Sequence, residues 1–189
     1  AAELAQPDGK TIIDLYCGAG TIGLTMADRA KNIIGVEIVE SAVINANENA
    51  KLNNSENVRF ICGDAGQATD TLIAEGIKAD VVIVDEMSMV DIFLAYHLFK
   101  SINDGTRVII VGDSDQLPAV GAGDILNDLI LSREVTTIKL KQIHRQAATS
   151  TIINLAHSVN EGRIPEDIGI MQHDRKLIKC DDDTIIPLS

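Results

Sequence analysis

Residues 79–89, ADVVIVDEMSM, set the strongest limit on how this chain folds. Val81, Val82, Ile83 and Val84 are four consecutive β-branched residues with aspartates on either side. A strand exposed on one face would alternate apolar and polar side chains, whereas an unbroken apolar run suits a strand covered on both faces. The run delivers Asp85 and Glu86 at its carboxyl end, the edge at which open α/β sheets bind ligands. The same two acids serve equally well to end a strand and cap the next helix, so both readings stand at this point.

The rest of the chain keeps a strand and helix rhythm around that run. A short helix within 1–10 is closed by the turn signal Pro7-Asp8-Gly9. Strands are predicted over 11–16, 33–39, 57–62, 80–85, 107–111 and 136–140. Helices are predicted between them, one capped by Ser41 and one over 89–102 with apolar residues at 89, 92, 93, 96, 99 and 102. A last helix is expected over 146–160, closed by Gly162 and Pro165, and a short strand over 177–180. Hydrophobic residues make up 46% of the chain but aromatics only 3%, so the core must be built from Ile, Val, Leu and Ala. These features predict a three-layer Rossmann-like α/β sandwich of about six mostly parallel strands. One α/β domain is expected over 1–165, followed by a tail over 166–189.

Charge and cysteine content narrow the setting. Sixteen Lys and Arg against 28 Asp and Glu give a net charge of −12, which opposes phosphate neutralisation and argues against a nucleic-acid partner. Cys17, Cys62 and Cys180 are odd in number and widely spaced, which predicts no disulfide framework and no zinc site. His97, His144, His157 and His173 lack metal-ligand spacing. With no apolar run of membrane-spanning length and no leader-like start, the expectation is a soluble protein with reduced thiols in the cytoplasm, without a membrane partner.

Gly9-Lys10-Thr11 hints at a phosphate-binding loop, but Leu4 stands where that motif needs its first glycine, and a strand follows instead of a helix. Gly18 and Gly20 are a better candidate. They lie between the first strand and a helix, where glycine lets the backbone turn and approach a ligand. Glu37 follows about 20 residues later, placed for an acidic group to accept from both ribose hydroxyls. Asp64, after the third strand, is placed to hold an adenine amino group.

Four stretches, DLYCGAGTIGL at 14–24, GVEIV at 35–39, ENAKLN at 48–53 and VRFICGDA at 58–65, together resemble the methyl-donor half of the RNA uracil-5-methyltransferase family over roughly residues 1–85. The resemblance implies that Asp14, Gly18 and Gly20 surround the methionine moiety of S-adenosylmethionine, Glu37 its ribose and Asp64 its adenine. The chain departs from that family after Asp85. Where the family's fourth strand runs into Asp-Pro-Pro-Arg, Asp85 is followed by Glu86-Met87-Ser88, and no later Cys has the context of the family's nucleophile.

Three further stretches, DEMSM at 85–89, VGDSDQLPAVGAG at 111–123 and IHRQAATSTIINLAHSVNEGRIP at 143–165, resemble the RecD-type superfamily-one helicases over roughly residues 80–165. That resemblance implies magnesium and water at Asp85 and Glu86, a γ-phosphate sensor at Gln116 and charge stabilisation at Arg145. The phosphate-binding loop of such motors has no counterpart upstream.

Together these resemblances predict a chimera, synthetic or recombined, with a methyltransferase-like half at 1–85 and a helicase-like half at 86–165. It is expected to lack native catalytic turnover, and so not to be an enzyme, while binding S-adenosylmethionine or S-adenosylhomocysteine through Asp14, Gly18, Gly20, Glu37 and Asp64. In this view Asp85, Glu86, Gln116 and Arg145 are vestigial. The alternatives are a methyltransferase with an altered acceptor, Asp85 and Glu86 lining its pocket, and a nucleotide-binding helicase fragment. The two parent strand orders conflict after the fourth strand. The reading favoured is 3-2-1-4-5-6, and an edge left unpaired by that compromise would promote homodimers.

Overall fold

The computed structural model describes residues 2–139 and 150–176, apart from the His157 side chain. It divides into two units, 1–135 and 136–189. The first holds one parallel sheet of β1 (Thr11–Leu15), β2 (Asn32–Glu37), β3 (Val58–Cys62), β4 (Val81–Val84) and β5 (Arg107–Ile110), in the order 3-2-1-4-5. Helices α1 (Ala2–Ala5), α2 (Thr21–Leu24), α3 (Glu40–Leu52), α4 (Ala65–Ala74), α5 (Ile92–Ser101) and α6 (Ile125–Ser132) follow or precede these strands. The expected Rossmann-like α/β sandwich is therefore present.

β4 lies between β1 and β5, pairing Ile12 with Val81 and Leu15 with Val84 on one side and Val81 with Arg107 on the other. Its four residues are all buried. On one face Val82 and Val84 join Leu15, Val36, Ala68, Ala95 and Leu126, so α4, α5 and α6 cover that face. On the other, Val81 and Ile83 join Ile12, Ile33, Ala5 and Met26, under α1 and the α2 turn. Burying such a side chain contributes roughly 1.5–3 kcal/mol, so this short strand anchors both cores.

The strand at 80–85, not that at 107–111, pairs with β1, and its seam is continuous with what precedes it. The Asp80 carboxylate accepts from Thr11 N–H at 2.8 Å at one end of the pair, and Asp85 N–H donates to the Leu15 carbonyl at 3.2 Å at the other. A sixth strand over 136–140 is not formed by the described residues 136–139, leaving β5 with β4 as its one neighbour among them.

Two helix starts differ from the sequence expectation because side chains and backbone compete for the first amide groups. Asp91 accepts from Leu94 N–H at 2.9 Å, so α5 begins at Ile92, after a 3₁₀ turn at Met87–Met89. Ser41 lies inside α3 and is not its cap. Val39 holds the cap position without a side-chain bond of its own, and its N–H donates to Glu37.

In the second unit α7 (Thr151–Asn160) is capped from a distance in sequence. Asp174 accepts from Thr151 N–H and from the Ser150 hydroxyl, both at 2.8 Å, and from the Thr151 hydroxyl. Those bonds hold the Asp174 carboxyl well below the usual range. Gly162, at φ 74°, ends the helix, with Arg163 N–H donating to the Ser158 carbonyl at 2.8 Å. The helix expected from 146 is described from its 151 onset; residues 146–149 and the strand expected at 177–180 lie outside the described residues.

Candidate functional site

β2 and β4 flank β1 on opposite sides, so the chain reverses its direction of travel across the sheet at β1, and the crevice lies beyond the carboxyl ends there. The β1–α2 turn fills it. Tyr16, Gly18 and Gly20 all take left-handed conformations, at φ 61°, 54° and 76°. Cys17 N–H donates to the Val36 carbonyl at 3.1 Å, and Gly20 N–H to the Cys17 carbonyl at 2.8 Å. A side chain at Gly20 would strike the Phe60 ring at 2.5 Å, while Gly18 faces open space, with nothing within 4 Å of where a Cβ would stand.

Glu37 closes the turn from the neighbouring strand. Its Oε2 accepts from Gly18 N–H at 3.0 Å and its Oε1 from Val39 N–H at 2.9 Å. Each carboxylate oxygen has a second lone pair, which leaves the group able to accept from two ribose hydroxyls as well. Ile38 and Val39 beside it are 65% and 51% exposed, an apolar shelf suited to a purine face. Asp64 caps α4, its Oδ1 accepting from Gly66 N–H at 2.8 Å and Gln67 N–H at 3.4 Å. Its Oδ2 accepts nothing among the described residues.

Asp14 is buried beneath the turn, 1% exposed. Its Oδ2 accepts from Gly23 N–H at 3.0 Å in α2, while Oδ1 has no partner among the described residues. Burial pushes its carboxyl up to about 7, against the pull of the Gly23 bond and with the help of the Asp85 charge. Burial likewise pushes the Cys17 thiol up to about 12, with Asp14 and Glu37 adding to the effect. The Tyr16 hydroxyl is raised by burial, then by the Asp64 and Asp91 charges.

The structure thus brings Asp14, Gly18, Gly20, Glu37 and Asp64 to one edge, with Asp85 beside them. Asp85 accepts from Glu86 N–H at 2.9 Å, and Glu86 is left-handed at φ 52°. Gln116 is exposed in the loop after β5, its N–H donating to the Asp113 carbonyl at 3.2 Å; among the described residues no bond joins it to Asp85 or Glu86. Arg145 lies outside the described residues. Residue-by-residue reading missed Tyr16, Ile38, Val39 and Asn49. Asn49 donates to the Ala19 carbonyl at 3.0 Å and braces the turn from α3; its place in the ENAKLN stretch was the available signal. Among the described residues no group of acids, Cys and His could hold a metal ion, and no helix is long and apolar enough to cross a membrane.

The chain also has counterparts among known proteins. A family model described as an AAA domain matches residues 17–183. The chain belongs to the AAA domain family. It is related as well to an RNA methyltransferase from Salinibacter ruber solved in complex with S-adenosyl-L-homocysteine, with 31% identity and a TM-score of 0.50 over 58% of this chain and 69% of that one. Curated relatives include uncharacterised RNA methyltransferases of Staphylococcus aureus strain MSSA476, 49% identical over 86 residues, and of Enterococcus faecalis strain ATCC 700802 / V583, 50% identical over 81. Those alignments take in 45% and 43% of this chain and 19% and 18% of the relatives, so the chain spans about a fifth of their length.

These matches correct several expectations. This AAA domain chain is not two fragments meeting at residue 85: one family model runs across that point and one sheet is continuous through it. The expected synthetic or recombined origin falls with the chimera, because RNA methyltransferases of bacteria share about half their residues with this chain over the matched stretch. The expectation of no turnover, and so of no enzyme, rested on a missing nucleophile and a missing phosphate loop. A chain that spans a fifth of its relatives' length gives such absences no weight. The expectation against nucleic acid rested on net charge, and it is overturned by relatives that are RNA methyltransferases. The cofactor expectation, S-adenosylmethionine or S-adenosylhomocysteine, is upheld by the product-bound relative.

Proposed function

We propose that this chain is the donor-binding part of an RNA methyltransferase that uses S-adenosylmethionine. The observation that carries the reading is the pairing of Gly18 N–H with Glu37, which joins the glycine turn to the acidic end of β2 in a chain related to a methyltransferase solved with S-adenosyl-L-homocysteine. Gly18 and Gly20 expose backbone to the methionine moiety, with Asp14 setting the turn from below. Glu37 accepts from the ribose hydroxyls, Ile38 and Val39 cover one purine face, and Asp64 Oδ2 accepts from the adenine amino group. When bound, the donor supplies an electrophilic methyl group on a sulfonium. The chain's own residues bind and orient it, and Asp85 and Glu86 border the side from which an acceptor base approaches.

Calorimetric titration with S-adenosylhomocysteine tests the binding, and incubation with labelled donor and RNA tests the transfer. Saturable binding that Glu37→Ala abolishes supports the reading; a cooperatively folded protein that binds neither donor nor product ends it.

The AAA domain match favours a second reading, in which a nucleoside triphosphate takes the same adenosine-binding edge and Asp85 and Glu86 hold magnesium. Residues 17–25 contain no lysine to meet its phosphates, which is why the methyl donor is preferred. Displacement of bound S-adenosylhomocysteine by magnesium ATP at comparable concentration would reverse that preference.

A further inference from the structure

The five segments that leave the carboxyl ends of the strands, 16–20, 37–41, 63–67, 85–91 and 111–124, contain nine Asp and Glu and no Lys, Arg or His. None of the nine forms an ion pair among the described residues, whose ion-paired acids lie elsewhere, at Asp8, Glu75, Glu161, Asp167 and Asp174. Lys10, Lys31, Lys78 and Arg107 precede or open strands and so belong to the opposite edge of the sheet. A second observation lies directly under the glycine turn. Asp14 is 1% exposed, and its Oδ1 has no partner among the described residues. Across the β1–β4 pair Asp14 faces Ile83, and two residues further along another acid, Asp85, donates its N–H to the carbonyl of Leu15, next to Asp14, with its charge felt at the Asp14 carboxyl. Among the described residues the acids of the crevice therefore have no ion-pair partner, and the Asp14 Oδ1 beneath it has no donor.

A methyl donor and its spent product differ at this crevice by one charge. The donor carries a cationic sulfonium where the product has a neutral thioether, and the rest of the two molecules is the same. We propose that the carboxyl edge sorts the two by that charge, Asp14 and Asp85 together with the acidic loops holding the sulfonium form more tightly than the thioether. This inference rests on the donor-binding function proposed above and adds a consequence to it: the spent product leaves readily, and product inhibition is weak. Charged crevices with low-dielectric walls focus such fields, and exposed carboxylates lose their reach once the screening length falls to a few ångströms.

The test is titration calorimetry of the whole chain with S-adenosylmethionine, S-adenosylhomocysteine and the ammonium analogue of the donor, sinefungin, at about 0.02 M and about 0.5 M salt. At low salt both cationic ligands bind about tenfold tighter than the product, and the ratio falls by about half its logarithm or more at high salt. Asp85→Asn lowers the affinity for the two cations and leaves that for the product nearly unchanged, which also shows that the variant is folded. Product binding as tight as the donor, or equal salt dependence for all three ligands, overturns the charge sorting while leaving donor binding intact. Failure of all three ligands to bind the folded chain overturns the proposed function, and this inference with it.

Discussion

Gly18 and Glu37 are joined by a 3.0 Å hydrogen bond from the glycine amide to Oε2, which fixes the turn after β1 against the end of β2. The other oxygen, Oε1, accepts from Val39 N–H at 2.9 Å, where α3 begins. One carboxylate therefore organises both the loop that would meet a methionine moiety and the strand end that would meet a ribose.

Replacing Glu37 with Ala removes both acceptors. A hydrogen bond to a charged group contributes about 1.5–3 kcal/mol when buried and less where solvent replaces it, so a loss of about 1–2 kcal/mol is expected. Glu37→Gln keeps an acceptor for one amide only. Thermal melts should rank the native chain above Gln and Gln above Ala, with S-adenosylhomocysteine affinity following the same order. An Ala variant that binds as well as the native chain would remove Glu37 from the site.

Asp64 both caps α4 and offers Oδ2 to a ligand. Asn caps helices about as well as Asp, whereas Ala costs about 1 kcal/mol at such a position. Asp64→Asn should melt within a degree or two of the native chain, while Asp64→Ala should melt lower. If the carboxylate also holds an adenine amino group, Asp64→Asn weakens product binding without loss of stability, and calorimetry on that variant separates the two roles.

Gly35 on β2 leaves room for the Phe60 ring of β3. A Cβ there would lie 2.4 Å from Phe60 Cδ1 and 2.8 Å from Cys17 Sγ. Gly35→Ala should destabilise by about 1–3 kcal/mol through overpacking. Phe60→Leu in the same chain should recover part of that, giving a coupling that denaturant titration of the single and double variants would measure. Strict additivity would show that the ring is not what the glycine accommodates.

Asp14 predicts a fall in stability with rising pH. Its folded carboxyl is raised from the ordinary aspartate value to about 7, burial being the first cause, so between those two values the folded chain holds more protons than the unfolded one. Its contribution is therefore present in full below the ordinary aspartate range and is lost as pH rises towards about 7. At roughly 1.4 kcal/mol for each tenfold change in proton affinity, the loss is a few kcal/mol. Asp14→Asn keeps an oxygen for Gly23 N–H and cannot ionise. Urea titrations at pH 5 and pH 8 should show the native chain weakening and the variant nearly level; parallel behaviour of the two would contradict the buried titration.

The thiols should differ in reactivity. Cys17 is buried and pushed up to about 12, whereas Cys62 is exposed. A thiol reagent at pH 8 should modify Cys62 within minutes and leave Cys17 intact until the chain unfolds, as peptide mapping would record.

The strands and the acids at their ends were legible in the chain because both are local. Val81 to Val84 can only be a strand with cover on both faces, and the spacing of Gly18, Gly20, Glu37 and Asp64 follows from strand and helix lengths. Ser41 misled because a good capping residue near a helix start is a local signal, and the Val39 amide is taken instead by Glu37 from two residues earlier. The apparent seam at Asp85 misled for a related reason. Motif boundaries follow sequence, but the sheet is continuous because hydrogen bonding depends on which strands lie side by side. The expected strand over 136–140 shows the limit of β-branched composition: the described residues 136–139 form no strand, because such composition favours a strand only in the right tertiary context.

Sequence by itself determined the parallel α/β class, the helices on both faces and the acids and glycines of one edge, since periodicity and turn chemistry act over a few residues. Tertiary structure settled the favoured place of β4 beside β1, and it alone decided that Phe60 packs over Gly20 and Gly35 and that Asp14 is buried with one oxygen unmatched among the described residues. Those outcomes depend on groups distant in the chain meeting and expelling water, and the free energy of a carboxylate is set by what surrounds it after that has happened.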